Sequence, residues 1–166
     1  WLRVNLNGER FGNENLGYQS HVTQVRFQPE MTAFQIIDKN WDAHAPKGDY
    51  KHPNSHSRST ADPANDWADA LERGAIIEAD TLEELAEMIE VDPAELKATV
   101  ERYNKLCKEG EDKDFYKENH FLFPVEEGPF TACMVAPGLL AVCGGIHISD
   151  NFEVLNENDE PIPGLY

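Results

Sequence analysis

The chain has 166 residues, of which 31 are acidic and 14 basic, giving a formal net charge of −17. That length supports one domain with an ordinary hydrophobic core. Nucleic acids and anionic membrane surfaces are gripped by lysine and arginine, so this balance argues against both, and no run of about twenty apolar residues is present to enter a bilayer.

Trp1 to Leu6 alternates apolar and polar residues as a half-buried strand does, and Asn7-Gly8 is the dipeptide that accepts the positive φ of a tight turn. A dense polar cluster follows: Arg10, Asn13, Glu14, Asn15 and Tyr18, interleaved with Phe11 and Leu16. "MTAFQIID" (31–38) reads as a second strand with Phe34, Ile36 and Ile37 buried. The Pro-, Ser-, Asn- and His-rich run from His44 to Asn65 is the longest loop. Asp62-Pro63 starts a helix with the apolar stripe Trp67, Ala70 and Leu71 and a stop at Gly74, and Ala75 to Ala79 is a short strand.

Two helices announce themselves by their caps. Thr81 and Glu84 form a capping box ahead of Leu82, Leu85 and Ile89. Asp92-Pro93-Ala94-Glu95 supplies cap, proline and carboxylate for a helix whose buried stripe is Leu96, Val100, Tyr103 and Leu106 or Cys107, ending at Gly110. The remaining runs "PFTACMVAP", "LLAVCGGIHIS" and "FEVL" are β-rich and predict an antiparallel meander. The expected fold class is therefore α+β, with helices on one side of a small antiparallel sheet.

Metal and nucleophile motifs are thin. His44, His52 and His56 lie in loop sequence without cysteine or acidic co-ligands at a zinc spacing. "EGEDKDFYKE" lacks the alternating ligands and central glycine of a calcium loop and reads as a solvated turn. No metal site is expected. Cys107, Cys133 and Cys143 form no CxxC pair, and neither GxGxxG, a P-loop nor GxSxG is present. Tyr18 beside its polar cluster can donate a proton to a reacting carbon, but an ordinary pKa of about 10 makes it a poor base, and from the local sequence alone it reads as structural. Gly144-Gly145 marks a bulge or the close approach of a backbone or flat ligand.

Taken together, "VNLNGERFGNE", the helix pair ending in "RYN", "DFYK", "GPFTACMVAPGL" and the final "PIPGLY" resemble FAD-dependent flavoproteins of the fumarate reductase and succinate dehydrogenase type, including the 3-ketosteroid dehydrogenases. The resemblance covers nearly the whole chain, apart from about residues 28–74. It implies a capping (clamp) domain with its entry hairpin over residues 1–138, followed by the first returning strands of the FAD-binding domain over 139–166. The chain starts and stops within strand-like sequence, as a piece of a longer protein would, and on this reading the piece alone holds no FAD and turns nothing over.

The residue match is uneven. Tyr18 stands four residues past Glu14, where fumarate reductases place a catalytic arginine, and "NENLGY" is similar to the ketosteroid dehydrogenase segment whose tyrosine is catalytic. Leu140 and Ala141 stand where fumarate reductases carry histidines, which implies a small unsaturated substrate less charged than fumarate. Gly144 and Gly145 correspond to backbone beside the flavin. Arg10 and Glu14 are expected to pin the hairpin to the cap. The implied partners are FAD, the unsaturated substrate and the rest of the FAD-binding domain. The competing expectation is a stand-alone binding or interaction domain without catalysis.

Overall fold

The structure is a computed structural model that describes residues 1–44, 63–138 and 144–166. Four strands, β1 (Leu2–Asn5), β2 (Ala33–Ile37), β3 (Ile76–Ala79) and β4 (Phe130–Val135), form one antiparallel sheet in the order β1-β2-β4-β3. This is not the expected meander. β4, last in the chain, enters between β2 and β3, pairing Ile36 with Ala132 on one side and Ile77 with Ala132 on the other.

Five helices complete the described chain: α1 (Tyr18–Arg26), α2 (Trp41–His44), α3 (Pro63–Glu72), α4 (Leu82–Met88) and α5 (Pro93–Glu109). They cover both faces of the sheet, which corrects the one-sided arrangement. Successive strand residues point to opposite faces. Leu2, Val4, Phe34, Ile36, Phe130 and Ala132 pack on Leu85, Ala86 and Ile89 of the α4 segment and on Leu96, Val100 and Tyr103 of α5, which form the main core. Ile76 and Cys133 face the other way and meet Ala70, Trp67 and Leu71 of α3. All five residues of β2 are buried because it is central and covered on both sides.

The helix caps are local and form as the sequence predicts. Thr81 Oγ1 accepts from Glu84 N–H at 3.1 Å while Thr81 N–H donates to Glu84 Oε2 at 3.3 Å. Asp92 Oδ1 accepts from the N–H groups of Ala94 and Glu95, and α5 stops at Gly110 with φ of +70°. Asn104 of the "RYN" sequence fastens the later chain to α5, donating to Val125 O at 2.6 Å and accepting from Val125 N at 2.8 Å.

Beyond β4, "LLAVCGGIHIS" and "FEVL" form no sheet strand among the described residues. Residues 144–166 hold together by isolated bridges, Ile148 with Val154 and Leu155 with Pro161, and leave Ile146, Ile148, Phe152, Leu165 and Tyr166 exposed. His52, His56, Leu140, Ala141 and Cys143 lie outside the described residues.

Candidate active site

The turn after β1 is built as its sequence dictates. Asn5 Oδ1 accepts from the N–H groups of Asn7 and Glu9, and Gly8 adopts φ of +81°. A Cβ at Gly8 would meet Leu96 N at 3.0 Å and Glu95 Cβ at 3.1 Å, so the turn seats directly on the start of α5.

This seating delivers Arg10 into a buried ion-pair knot. Its guanidinium is bidentate twice: Nε and Nη2 donate to the Glu14 carboxylate at 2.8 and 2.9 Å, and Nη1 and Nη2 donate to Asp112 at 3.0 and 2.7 Å. The Tyr103 and Phe115 rings lie 4.9 and 5.0 Å from the guanidinium carbon. Lys117 Nζ reaches Glu14 Oε2 at 3.2 Å and donates to Tyr103 Oη at 3.0 Å. Asp112 also accepts from the backbone N–H groups of Asp114, Phe115 and Lys117. The side chains of Arg10, Glu14, Asp112 and Lys117 are only 5, 3, 0 and 2 % exposed.

Every charge here therefore has a partner of opposite sign, and the balance between partner and desolvation differs from group to group. Burial works to raise the pKa of Asp112, but the hydrogen bonds from Arg10 and the backbone outweigh it and hold the carboxyl at about 2. Burial and the Arg10 hydrogen bonds oppose each other in the same way at Glu14, and its pKa also falls. Lys117 goes down because burial outweighs its attraction to Glu14. The knot ties the chain at residues 10–14 to the stretch 112–117. "EGEDKDFYKE" is thus no solvated turn: its Asp112 and Lys117 are buried. The sequence reading missed both, together with the polar roles of Tyr103, Arg3 and His21. The only signal present was the Phe115-Tyr116 pair inside an otherwise charged stretch.

Tyr18 opens α1 four residues beyond Glu14. The Gly17 carbonyl starts the helix by accepting from the N–H groups of Ser20 and His21. Burial, followed by the charge of Arg3, lowers the pKa of His21, one turn after Tyr18, to about 4. The segment carrying Tyr18 is anchored at its start by the knot at Glu14. Gly144 and Gly145 lie elsewhere, in the exposed final segment, with no atom of this chain within 4 Å of a Cβ built on either.

A model of the FAD binding domain matches residues 2–166. The chain belongs to this FAD-binding flavoprotein family. It is 39% identical to a fumarate reductase (cytochrome) of Shewanella frigidimarina over 165 residues, covering 99% of this chain and 25% of the relative. It is 34% identical to an NADH:acrylate oxidoreductase of Vibrio harveyi over 167 residues, covering 98% of this chain and 15% of the relative. The open conformation of a flavocytochrome c3 fumarate reductase superposes with a TM-score of 0.78 at 27% identity, over 99% of this chain and 26% of that one. The chain thus spans about a quarter or less of these flavoproteins. FAD is the cofactor of the family. Among the described residues nothing beyond the chain neighbours lies within 4 Å of a Cβ built on Gly144 or Gly145, so the residues present leave room there for such a group.

Proposed function

We propose that this chain is the substrate-capping part of an FAD-dependent oxidoreductase acting on an activated C=C bond. Residues 1–138 form the cap and 139–166 begin the return into the FAD-binding domain. When bound, FAD supplies the hydride donor or acceptor. Tyr18 exchanges the proton at the substrate α-carbon: a neutral phenol already carries that proton at pH 7, and in the dehydrogenation direction it must be lowered to act as a base. Leu140 and Ala141 give the substrate an apolar neighbourhood, favouring an α,β-unsaturated carbonyl compound over a dicarboxylate. Gly144 and Gly145 let the backbone run beside the flavin.

The observation that supports this reading is the buried Arg10–Glu14 ion pair four residues before Tyr18, which anchors the segment leading into α1. Rigid placement of a proton-exchanging group is what such a reaction demands. The exposed apolar side chains of residues 146–166 support the second half of the reading, since a neighbouring domain would cover them. The test is anaerobic reoxidation of the reduced full-length protein by unsaturated acids, enones and steroids, followed at the flavin absorbance. Reoxidation by less charged acceptors supports the proposal. Efficient reoxidation by fumarate refutes the role given to Tyr18, Leu140 and Ala141.

A further inference from the structure

α1, the helix that opens with Tyr18, has little of its own to hold it in place. It is nine residues long, Gly17 gives it no capping side chain, its first turn carries no acidic residue, and Val25 is the one core side chain among its described residues. A helix this short is not stable by itself in water. Its position is set by the few contacts it makes with the rest of the chain.

One of these contacts is very close. Gly12 is buried, and a Cβ built on it would lie 2.7 Å from both Cδ and Oε1 of Gln24 and 2.9 Å from its Nε2. The carboxamide of Gln24 thus rests directly on the Gly12 backbone, in space that any other residue would fill. Gly12 does not have the positive φ of Gly8, so what position 12 needs is room rather than conformational freedom. Gly12 in turn belongs to a fixed base. Arg10 and Glu14 hold the chain on either side of it through the knot. Asn13 adds a second tie to the same stretch: its Nδ2 donates to Phe115 O at 3.2 Å while its Oδ1 accepts the Asn15 N–H at 2.8 Å. Gln24 lies six positions after Tyr18, about 9 Å along the helix axis. With the chain entering from Glu14 at one end and Gln24 seated on Gly12 toward the other, two separated points fix the line of that axis.

We propose that Gly12, Gln24 and Asn13 are positioning residues for Tyr18. The Gln24 carboxamide seated on Gly12, and Gly12 held to the 112–117 stretch through Asn13, set the line of α1 and with it the place from which its first residue reaches the substrate. The inference rests on the reading of Tyr18 as the proton-exchanging group. The atoms that a Cβ at position 12 would meet belong to the end of a flexible side chain, so Gly12→Ala is relieved by swinging the amide away. The seat is then lost while the fold stays whole.

The experiment uses the full-length protein loaded with FAD and two readouts: hydrogen–deuterium exchange of the α1 amides, which needs no chemistry, and kcat and KM for the best acceptor. Gly12→Ala and Gln24→Ala are each expected to speed exchange in α1 by about threefold or more with α5 unchanged. Each lowers kcat by about tenfold or more with KM within about twofold, since a misplacement on the order of 1 Å costs up to about a hundredfold. In the double variant Gly12→Ala with Gln24→Ala the added methyl takes space that the carboxamide leaves, and both readouts return toward wild type, whereas independent weakening would add up. Asn13→Asp keeps the Asn15 bond, loses the donor to Phe115 O and shifts both readouts in the direction of the single variants. Wild-type exchange of α1 in both single variants, or a double variant as impaired as the worse single one, overturns the proposal. So does an unchanged kcat in both single variants when Tyr18→Phe lowers it. If Tyr18→Phe itself leaves turnover unchanged, the Tyr18 assignment fails, and the exchange readout with its recovery in the double variant decides the seat on its own.

Discussion

Replacing Asp112 by asparagine tests the knot as the element that fixes the cap. The substitution removes one charge, puts an NH2 group where Arg10 or backbone N–H donors point, and leaves the Arg10 guanidinium with Glu14 as its carboxylate partner. Two routes give the magnitude. Lowering the carboxyl from 3.8 to about 2 corresponds to about 2–3 kcal/mol of preferential stabilisation of the charged form, and breaking one partner out of a buried ion pair costs about 3–5 kcal/mol. The expected loss is therefore about 2–5 kcal/mol, which in a unit of this size lowers Tm by roughly 5–15 °C. The assay is thermal and urea unfolding of the full-length protein, followed by tryptophan fluorescence. Its pH dependence carries the sign: a carboxyl with a depressed folded-state pKa stabilises above its unfolded pKa and loses that contribution as pH falls from about 5 toward 2, so Asp112→Asn flattens this acid limb. A loss below about 1 kcal/mol for Asp112→Asn, or an unchanged acid limb, refutes the argument.

Tyr18→Phe is expected to lower turnover of the best acceptor by about 10²–10⁴-fold with Tm unchanged, as read by stopped-flow flavin reoxidation. His21 is expected to titrate at about pH 4 by NMR; with its folded pKa below the unfolded one, its contribution to stability is complete above about 6.5 and is lost as pH falls toward 4. The charged side chains bearing on it are Arg3 and Glu14, and Arg3→Met is therefore expected to move the NMR midpoint upward. Gly8→Ala combines a φ of +81° with a 3.0 Å approach to Leu96 N, and is expected to destabilise by more than about 1 kcal/mol in urea unfolding.

What could be read in the sequence was whatever neighbouring residues decide. The caps at Thr81 and Asp92 and the stop at Gly110 depend on side chains within three or four positions, and they form as expected. α1 went unrecognised because Gly17 offers no capping side chain and the helix is poor in buried apolar residues, with Val25 the one core side chain among its described residues. The sheet order was hidden because the position of β4 depends on pairing with β2 across about a hundred residues. The same distance concealed half of the knot. Arg10 and Glu14 stand in one short motif, whereas Asp112 and Lys117 are recognisable as their partners only once the turn sits on α5.

The insertion of β4 between β2 and β3 also makes the last strand the keystone of the sheet. Until Phe130–Val135 is in place, β2 and β3 each present a bare edge and have no partner in common, although the strands themselves lie far earlier in the chain. A chain interrupted before residue 130 therefore leaves the backbone N–H and C=O groups of β2 unpaired along one edge, the arrangement most prone to pairing with another molecule. Expression limits drawn on either side of β4 decide between a closed sheet and an aggregating one, whereas limits drawn among residues 144–166 leave the sheet whole.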